Sequence, residues 1–376
     1  MTALPFKNLT LSLLTLSLFL HSTTSLPATT TIGVTYTPSP NLPPPEQVAT
    51  ALQSLHISAV SLPSPTPEVV RAFSYSNISL LLSIPNHLIS SFATNRSAAS
   101  LWLYTHVVPF YPRSHISTIS VGNDAISTSS SYPTDLLPAM RNVHLSLRDL
   151  GIKNVAVSTT FSFIDVMTTS FPPSSAEFQE PIHELVLRPL LQFLEETNSS
   201  FLIKLYPYNV FKLNSEVPLG YALFQENPFN FRDDDLTGVR YRNLFDMMVD
   251  AVIAAMAVSG HENIPLIVTE TGWPCSSDPN EAQAYTEMYL KGLISHLRSG
   301  LGTPLRKEGV AQTYIYQLFD DGDVKNGSER DPHWGILYPN LTMKYHIAFS
   351  DSERVHGNRG RIGMILGLLL GVLLLQ

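Results

Sequence analysis

Eight short strand-like runs alternate with helix-like runs along the body of this 376-residue chain. The strand-like runs are apolar and rich in β-branched residues. In the runs between them, apolar residues recur three and four positions apart, as in helices that cover a sheet. This alternation predicts a single-domain α/β fold, a (β/α)8 TIM barrel, whose active sites lie at the C-terminal ends of the strands. The predicted strands are 31–36, 57–62, 78–84, 116–122, 155–160, 201–206, 266–270 and 313–319. The predicted helices are 45–55, 67–73, 98–108, 136–150, 183–194, 244–257 and 282–297.

The first 25 residues have the composition of a secretory signal peptide. One early lysine, Lys7, precedes an apolar run over 9–20 and then small polar residues. The apolar run is too short to cross a bilayer, which favours a cleaved signal over a membrane span. We therefore expect a secreted chain.

The other end of the chain resembles a glycolipid-anchor signal. A cluster of small residues that begins at Ser350 is followed by a polar stretch over 353–361 and an uncharged Leu/Gly run over 362–375. This order predicts a GPI anchor on Ser350 and removal of the tail. A C-terminal membrane helix is the alternative, although the apolar run is short for one. The expected organisation is a signal peptide over 1–25, a barrel over 26–350 and a removed anchor signal over 351–376, on a protein of the plasma-membrane surface and cell wall.

Composition narrows the class of partner. The net charge of −8 and the absence of a basic run in the body argue against nucleic acid. Cys275 is the only cysteine, so the core must be stable without an internal disulfide. Neither a clustered Cys/His pattern nor a phosphate-binding glycine loop is visible, so we expect no metal and no cofactor. Glycosylation sequons occur at Asn77, Asn95, Asn198, Asn326 and Asn340.

Two carboxylates stand at the ends of predicted strands. One apolar run delivers Glu270 into a Gly-Trp-Pro turn, and another ends at Asn123 and Asp124. A pair of carboxylates at strand ends suggests glycoside hydrolysis. A glutamate at a strand end can instead be a salt-bridge partner. An Asn-Asp pair after a glycine can be an ordinary turn in which the aspartate bonds its own backbone.

The chain resembles the plant endo-1,3-β-glucanases of glycoside hydrolase family 17 over nearly all of 31–349. The resemblance implies a (β/α)8 fold, a retaining mechanism and a groove for β-1,3-linked glucan. The matching phrases are Val121-Gly122-Asn123-Asp124, 137–143, 171–174, Tyr206-Pro207-Tyr208, 243–246, 270–274, 318–320 and Trp334-Gly335.

The resemblance also implies roles for individual residues. Glu270 matches the nucleophile, and Asn123 matches the residue expected to bond the sugar 2-hydroxyl. Asp124 stands where the family has the glutamate acid/base. Aspartate is shorter by one methylene, roughly 1.5 Å, whereas retaining enzymes hold the two carboxyl groups about 5 to 5.5 Å apart.

Further groove positions are retained in part. Lys204 replaces the usual asparagine just before the Tyr-Pro-Tyr phrase, and Asp321 is again a shortened glutamate. The implied sugar-binding residues, besides Asn123, are Tyr36, Tyr206, Tyr208, Trp273, Asp321, Lys325 and Glu329.

We expect a monomeric hydrolase of internal β-1,3-glucosidic bonds in β-glucan. The changed groove residues leave a second hypothesis, a surface protein that binds β-1,3-glucan and hydrolyses it weakly or not at all. A glucan transglycosylase would use the same nucleophile and differ only in the acceptor that resolves the intermediate.

Overall fold

The computed structural model of the protein describes residues 30–128, 132–225, 227–275, 279–320 and 333–350, without the side chains of 132 and 279–282. Eight parallel strands close into a barrel, and a two-stranded hairpin, β7 and β8, lies outside it. The order around the barrel is β1, β10, β9, β6, β5, β4, β3, β2. The strands are β1 (Thr31–Thr35), β2 (Ala59–Leu62), β3 (Ser79–Ile84), β4 (His115–Asn123), β5 (Ala156–Ser162), β6 (Phe201–Lys204), β7 (Arg232–Asp233), β8 (Arg240–Tyr241), β9 (Leu266–Thr271) and β10 (Gln312–Ile315).

Helices connect the strands and cover the outside of the barrel. The predicted (β/α)8 fold is therefore confirmed, with all eight predicted strands present. The α-helices are α1 (Pro45–Ser54), α2 (Pro67–Ala72), α3 (Ile89–Thr94), α4 (Arg96–His106), α5 (Ala125–Thr128), α6 (Tyr132–Asp149), α7 (Phe163–Val166), α8 (Arg188–Glu196), α9 (Pro207–Leu213), α10 (Leu219–Ala222), α11 (Leu244–Val258) and α12 (Pro279–Ser299).

Two barrel strands end two or more residues earlier than predicted. The sixth barrel strand ends at Lys204 rather than Tyr206, because Pro207 lacks a backbone donor and begins helix α9. The last barrel strand ends at Ile315, before the predicted end at Phe319. No helix in the described part of the chain is both long enough and apolar enough to span a membrane.

The inside of the barrel is filled by a small layer of side chains. Ala59, Leu81, Leu202, Ile267 and Tyr314 form a buried cluster of their own, separate from the larger core between strands and helices. Gly33 makes room for the Tyr314 ring, since a Cβ at this position would lie 2.7 Å from that ring and from a backbone oxygen. Side chains two residues apart on a strand share a face, so Lys204, two residues after Leu202, also points into the barrel.

Bulges redirect the two strands that end in carboxylates. On β9 the register with β6 changes from Val268 opposite Ile203 to Glu270 opposite Lys204, which places one extra residue on β9. The ladder between β4 and β5 is shifted in the same way, between Ser120 and Asn123. A bulge re-aims the side chains that follow it. It brings Glu270 onto the inward face, where strict alternation from Ile267 would have turned it outward.

Helix α11 carries buried charge between the barrel and α12. Asn243 caps the helix by accepting a hydrogen bond from the backbone N–H of Asp246. The Asp246 carboxylate pairs with His296 at 2.7 Å. One turn further on, Asp250 accepts a hydrogen bond from the backbone N–H of Leu305 and is fully buried.

Candidate active site

The C-terminal ends of three barrel strands, β4, β6 and β9, bring predicted site residues to one face of the barrel. Asp124 follows β4, Glu270 lies near the end of β9, and Tyr206 follows β6. All three surround Lys204, the last residue of β6. The expectation that Asp124, Tyr206 and Glu270 open on the same face of a closed parallel barrel is confirmed.

Glu270 is buried and held by two neighbours. The Tyr206 hydroxyl donates a hydrogen bond of 2.7 Å to Oε2, and the Lys204 ammonium lies 3.3 Å from the same oxygen. Burial raises the pKa of Glu270 above its usual value, although Lys204 and the Tyr206 hydroxyl both oppose this rise. The carboxyl group of Glu270 is therefore held in one orientation.

Asp124 lies in a turn with left-handed backbone geometry, at φ +50°, directly after Asn123. Its backbone N–H donates to the carbonyl of Thr160 on β5. Aspartate is among the few residues other than glycine that tolerate this conformation. Burial raises the pKa of the Asp124 carboxyl, and Lys204 opposes the rise. Asp124 is therefore both part of a turn and the bearer of a half-buried carboxyl group that contacts Lys204.

Asn86, which the sequence analysis did not single out, holds this turn in place. Its side-chain oxygen accepts a 2.7 Å hydrogen bond from the Asn123 backbone N–H, and its amide nitrogen donates at 2.9 Å to the Asn123 carbonyl. Gly122, at φ +81°, lets the chain pass close to this clamp. A lone asparagine after the third strand gives no signal in one sequence, because its partners are 37 residues away.

Lys204 lies between the two carboxylates. Its Nζ is 2.6 Å from Asp124 Oδ2 and 3.3 Å from Glu270 Oε2, so these two oxygens are at most 5.9 Å apart, the sum of the two distances. Burial disfavours the charged ammonium, but Glu270 and Asp124 outweigh it and raise the pKa of Lys204. The lysine is therefore protonated at neutral pH. The sequence marked it as a departure from the family, but not as a bridge between the two carboxylates.

Aromatic rings form one wall beside Glu270. Tyr206 and Tyr208 pack edge-on against Trp334, with ring centroids 5.3 and 6.1 Å apart. Tyr316 contacts the same indole at 5.7 Å. Trp273 lies beneath Tyr208, at 5.1 Å, and is itself buried. The rings of Tyr208 and Trp334 are partly exposed and provide apolar faces of the kind on which sugar rings stack.

Seven buried side-chain polar atoms have no hydrogen-bond partner among the described residues, and one of them is Oδ1 of Asp124. Two others, the Tyr36 hydroxyl and the Asn123 side-chain oxygen, belong to predicted sugar-binding residues. The Tyr36 ring is fixed edge-on between Phe73 and Phe319, and burial raises the pKa of its hydroxyl to about 12. Buried polar groups are normally paired, so both are available to a polar ligand.

Several residues predicted from the sequence are not among the groups described so far. Asp321, Lys325, Glu329 and the sequon residue Asn326 lie outside the described residues. The other sequon residues, Asn77, Asn95, Asn198 and Asn340, are exposed. Ser350, the predicted anchor residue, is half-buried at the end of the described chain.

Side chains of the metal-ligating type converge elsewhere in the described residues at Glu180, His183 and Glu184. They are paired with one another and with neighbours: His183 contacts Glu180 and Ser259, and Glu184 binds Arg188. The expectation that the protein needs no metal stays a prediction.

The model of the glycosyl hydrolases family 17 matches residues 32–349, which include all of the barrel strands except Thr31, the first residue of β1. The chain belongs to this family. Family 17 relatives include glucan endo-1,3-beta-glucosidase 12 of Arabidopsis thaliana, 35% identical over 85% of this chain and 60% of the relative. Glucan endo-1,3-beta-glucosidase 11 of the same plant is 35% identical over 91% of this chain and 82% of its own length. The chain thus spans less than two thirds of the first relative and most of the second.

Solved structures of the family have the same fold. A beta-1,3-glucanase and pollen allergen of Cryptomeria japonica superimposes with a TM-score of 0.79 at 33% identity, over 85% of this chain and 99% of the other. One of two plant beta-glucan endohydrolases with distinct substrate specificities gives 0.76 at 31% identity, over 84% and 100%. The barrel fold is therefore shared over nearly the whole length of both solved chains.

Proposed function

We propose that this family 17 protein is a retaining endo-β-1,3-glucanase with Glu270 as nucleophile and Asp124 as acid/base. The observation that carries the proposal is the separation of the two carboxyl groups, at most 5.9 Å between Glu270 Oε2 and Asp124 Oδ2. Retaining glycosidases hold the pair about 5 to 5.5 Å apart, whereas inverting enzymes need about 6.5 to 9.5 Å to admit a water. For these two facing oxygens the upper limit lies below the inverting range.

The chemistry proceeds in two displacements. Glu270 attacks the anomeric carbon while Asp124 gives its proton to the leaving glycosidic oxygen, and a glycosyl ester forms on Glu270. Water then attacks the same carbon from the side of Asp124. Asp124 takes a proton from that water, and Glu270 leaves as a carboxylate. Tyr206 supports the first step, because its hydroxyl aims the attacking oxygen.

Binding of the glucan is assigned to the groups around this pair. Asn123 and Tyr36 supply polar atoms that lack partners among the described residues. Tyr208 and Trp334 supply partly exposed aromatic faces. Trp273 supports Tyr208 from beneath. Asp321, Lys325 and Glu329 remain proposed groove residues from the sequence.

The second candidate function is glucan binding with little hydrolysis. Lys204 favours it, because an ammonium between the two carboxylates stabilises the ionised form of both, and the leaving group then finds no proton. The shorter reach of Asp124 acts in the same direction, since a displacement of about 1 Å can cost on the order of a hundredfold in rate. Transglycosylation stays a variant of the first candidate that differs in the acceptor.

We place the protein outside the cell, as a signal-peptide-bearing chain of the cell wall that is held at the plasma membrane through a GPI anchor on Ser350. The support is in the sequence, in the order of small residues, polar spacer and apolar tail after 349.

The Glu270→Gln variant tests the proposed function. An amide cannot form the glycosyl ester, so hydrolysis of laminarin should be lost while binding of laminari-oligosaccharides persists. Glu196→Gln is the matched control, because Glu196 is an exposed glutamate at the end of α8. Reducing-end release and calorimetric binding report the two properties separately. Retained hydrolysis in Glu270→Gln would remove Glu270 from the nucleophile role.

A further inference from the structure

The gap between the proposed nucleophile and acid/base holds a positive charge supplied by the chain itself. Lys204 Nζ lies within 3.3 Å of both carboxylates, and the lysine is mostly buried. In the described residues the titratable groups that face this cluster are Asp124 after β4, Asp165 on α7, Tyr206 after β6, Glu270 on β9 and Tyr316 after β10. Lys204 is the only cation among them.

We propose that Lys204 is a charge lock on this site: its ammonium holds Asp124 and Glu270 together as carboxylates, and it must leave the gap before a glucan can be cleaved. The inference rests on the proposed function and adds the residue that sets the activity of the pair. Lys204 acts through the two carboxylates, so it is a positioning residue rather than a catalytic one.

The locked state is unreactive because it lacks the proton that the first step requires. A retaining pair begins its first step with one proton, on the acid, and a free carboxylate as nucleophile. In the proposed locked state the ammonium opposes the effect of burial, keeps both carboxyl groups ionised and balances one of their charges. Entry into the reaction therefore needs one additional proton on Asp124, taken from solvent, and movement of Nζ away from Glu270.

The Lys204 ammonium also occupies the space that the substrate needs. The attacking oxygen must come within about 3 to 3.5 Å of the anomeric carbon. Lys204 Nζ already lies 3.3 Å from Glu270 Oε2, on the side of that oxygen that faces Asp124. A sugar ring seated for attack would have to occupy the same region. The ammonium and the reacting carbon therefore compete for one place.

The position of Lys204 on β6 explains why its side chain reaches both carboxylates. Lys204 is opposite Glu270 in the ladder between β6 and β9, and opposite Ser162 in the ladder between β5 and β6. It therefore stands on the strand beside the nucleophile, two strands from the one that leads to Asp124. The β9 bulge that turns Glu270 inward also sets the two side chains opposite each other. A long side chain at this position reaches both carboxylates, whereas the family's usual asparagine is shorter and uncharged.

Three substitutions test the lock. Lys204→Asn installs the shorter neutral residue, Lys204→Met keeps an unbranched stem without the charge, and Lys204→Arg keeps the charge. A neighbouring opposite charge lowers a carboxyl pKa by about one to three units, and each unit changes the protonated fraction tenfold above that pKa. We expect kcat/KM on laminarin at pH 7 to rise about tenfold or more in Lys204→Asn and Lys204→Met. Lys204→Arg keeps the positive charge, so it should show no such rise.

The pH profile is the readout that a merely structural role would not move. Loss of the ammonium raises the pKa of both carboxyl groups, so both limbs of the bell-shaped kcat/KM profile should shift to higher pH in the neutral variants. Lys204→Arg should leave the limbs in place. Neutral variants that match or fall below the wild type in kcat/KM at pH 7 would overturn the lock.

An activated substrate provides a measurement on the unchanged protein. A 2,4-dinitrophenyl β-laminaribioside needs no proton on its leaving group, so the wild type should cleave it far faster than laminarin. Lys204→Asn should lower the ratio of kcat/KM on the activated substrate to kcat/KM on laminarin. Equal kcat/KM values on the two substrates in the wild type would mean that proton supply does not limit the reaction, and the lock would be rejected.

Failure of the lock and failure of the proposed function have different signatures. Hydrolysis that is lost in Glu270→Gln but not raised in either neutral Lys204 variant keeps the function and rejects the lock. A gain in Lys204→Asn that survives in the double variant with Glu270→Gln rejects Glu270 as nucleophile. No hydrolysis in the wild type or in any Lys204 variant rejects the lock as the cause of inactivity, and glucan binding then becomes the function.

Discussion

Asp250 on helix α11 should make the protein less stable as the pH rises toward neutrality. Its carboxyl group is fully buried. Burial raises the pKa of Asp250 from 3.8 to about 7, with the nearby Asp246 adding to the rise. Hydrogen bonds from Leu305, Thr303 and Tyr241 oppose the rise without cancelling it.

Proton linkage gives the direction in which the free energy of unfolding changes with pH. Below pH 3.8 the carboxyl group is protonated in both the folded and unfolded states, and it imposes no penalty. Between 3.8 and about 7 only the unfolded state ionises, so the free energy of unfolding falls as pH rises. A shift of about three units corresponds to a loss on the order of 4 kcal/mol above pH 7.

The Asp250→Asn variant removes this titration. Urea unfolding followed by tryptophan fluorescence at intervals from pH 3.5 to 8 gives the free energy of unfolding of each protein. The difference between variant and wild type should move in favour of the variant by several kcal/mol across this range. Asp235→Asn, a substitution of an exposed aspartate, should give a flat difference.

The nearby pair of His296 and Asp246 also contributes less stability as the pH rises. Because it is present in both proteins, its contribution cancels in the comparison. Burial works to lower the pKa of His296, but its hydrogen bond and charge interaction with Asp246 raise it. Its contribution to stability is therefore lost as pH rises through the folded pKa, in both proteins. A difference between Asp250→Asn and wild type that stays flat, or that moves in favour of the wild type with rising pH, would refute the reasoning.

Three further predictions concern activity and location. Tyr206→Phe removes a hydrogen bond to a charged group, worth about 1.5 to 3 kcal/mol, and should lower kcat/KM on laminarin by about tenfold or more; unchanged activity, as expected of the exposed Tyr338→Phe, would contradict the role of the hydroxyl. Asp124→Glu should raise hydrolysis by restoring reach toward the glycosidic oxygen, and undetectable hydrolysis in this variant would favour a binding protein. A phospholipase that cuts glycosylphosphatidylinositol should release the protein from membranes, and charged residues at 368–370 should abolish anchoring; resistant attachment would favour a membrane helix.

The barrel could be predicted because each buried parallel strand leaves the same trace in the sequence. A strand such as β3 is buried along its whole length, so it appears as a short continuous apolar run. Eight such traces with helical runs between them permit few other folds. Strand ends were predicted less well, because the backbone decides them locally. Pro207 stops β6 two residues before the apolar pattern ends.

The candidate site was predicted residue by residue, but not as an arrangement. Glu270 and Tyr206 could be identified from their phrases, whereas the hydrogen bond between them joins residues 64 positions apart. The bridge from Lys204 to both carboxylates depends on strand order and on the bulge in β9, and neither leaves a mark in one sequence. The clamp by Asn86 on the Asn123 backbone is hidden for the same reason.

The anomeric form of the first product tests the retaining pair of Glu270 and Asp124 most directly. Proton NMR during hydrolysis of a laminari-oligosaccharide resolves the α and β signals of the new reducing end before they interconvert. Two displacements on one carbon preserve its configuration, so the β-anomer should appear first and the α-anomer only by later mutarotation. A first product in the α-form would mean a single displacement by water. The assignment of Glu270 as nucleophile would then be wrong.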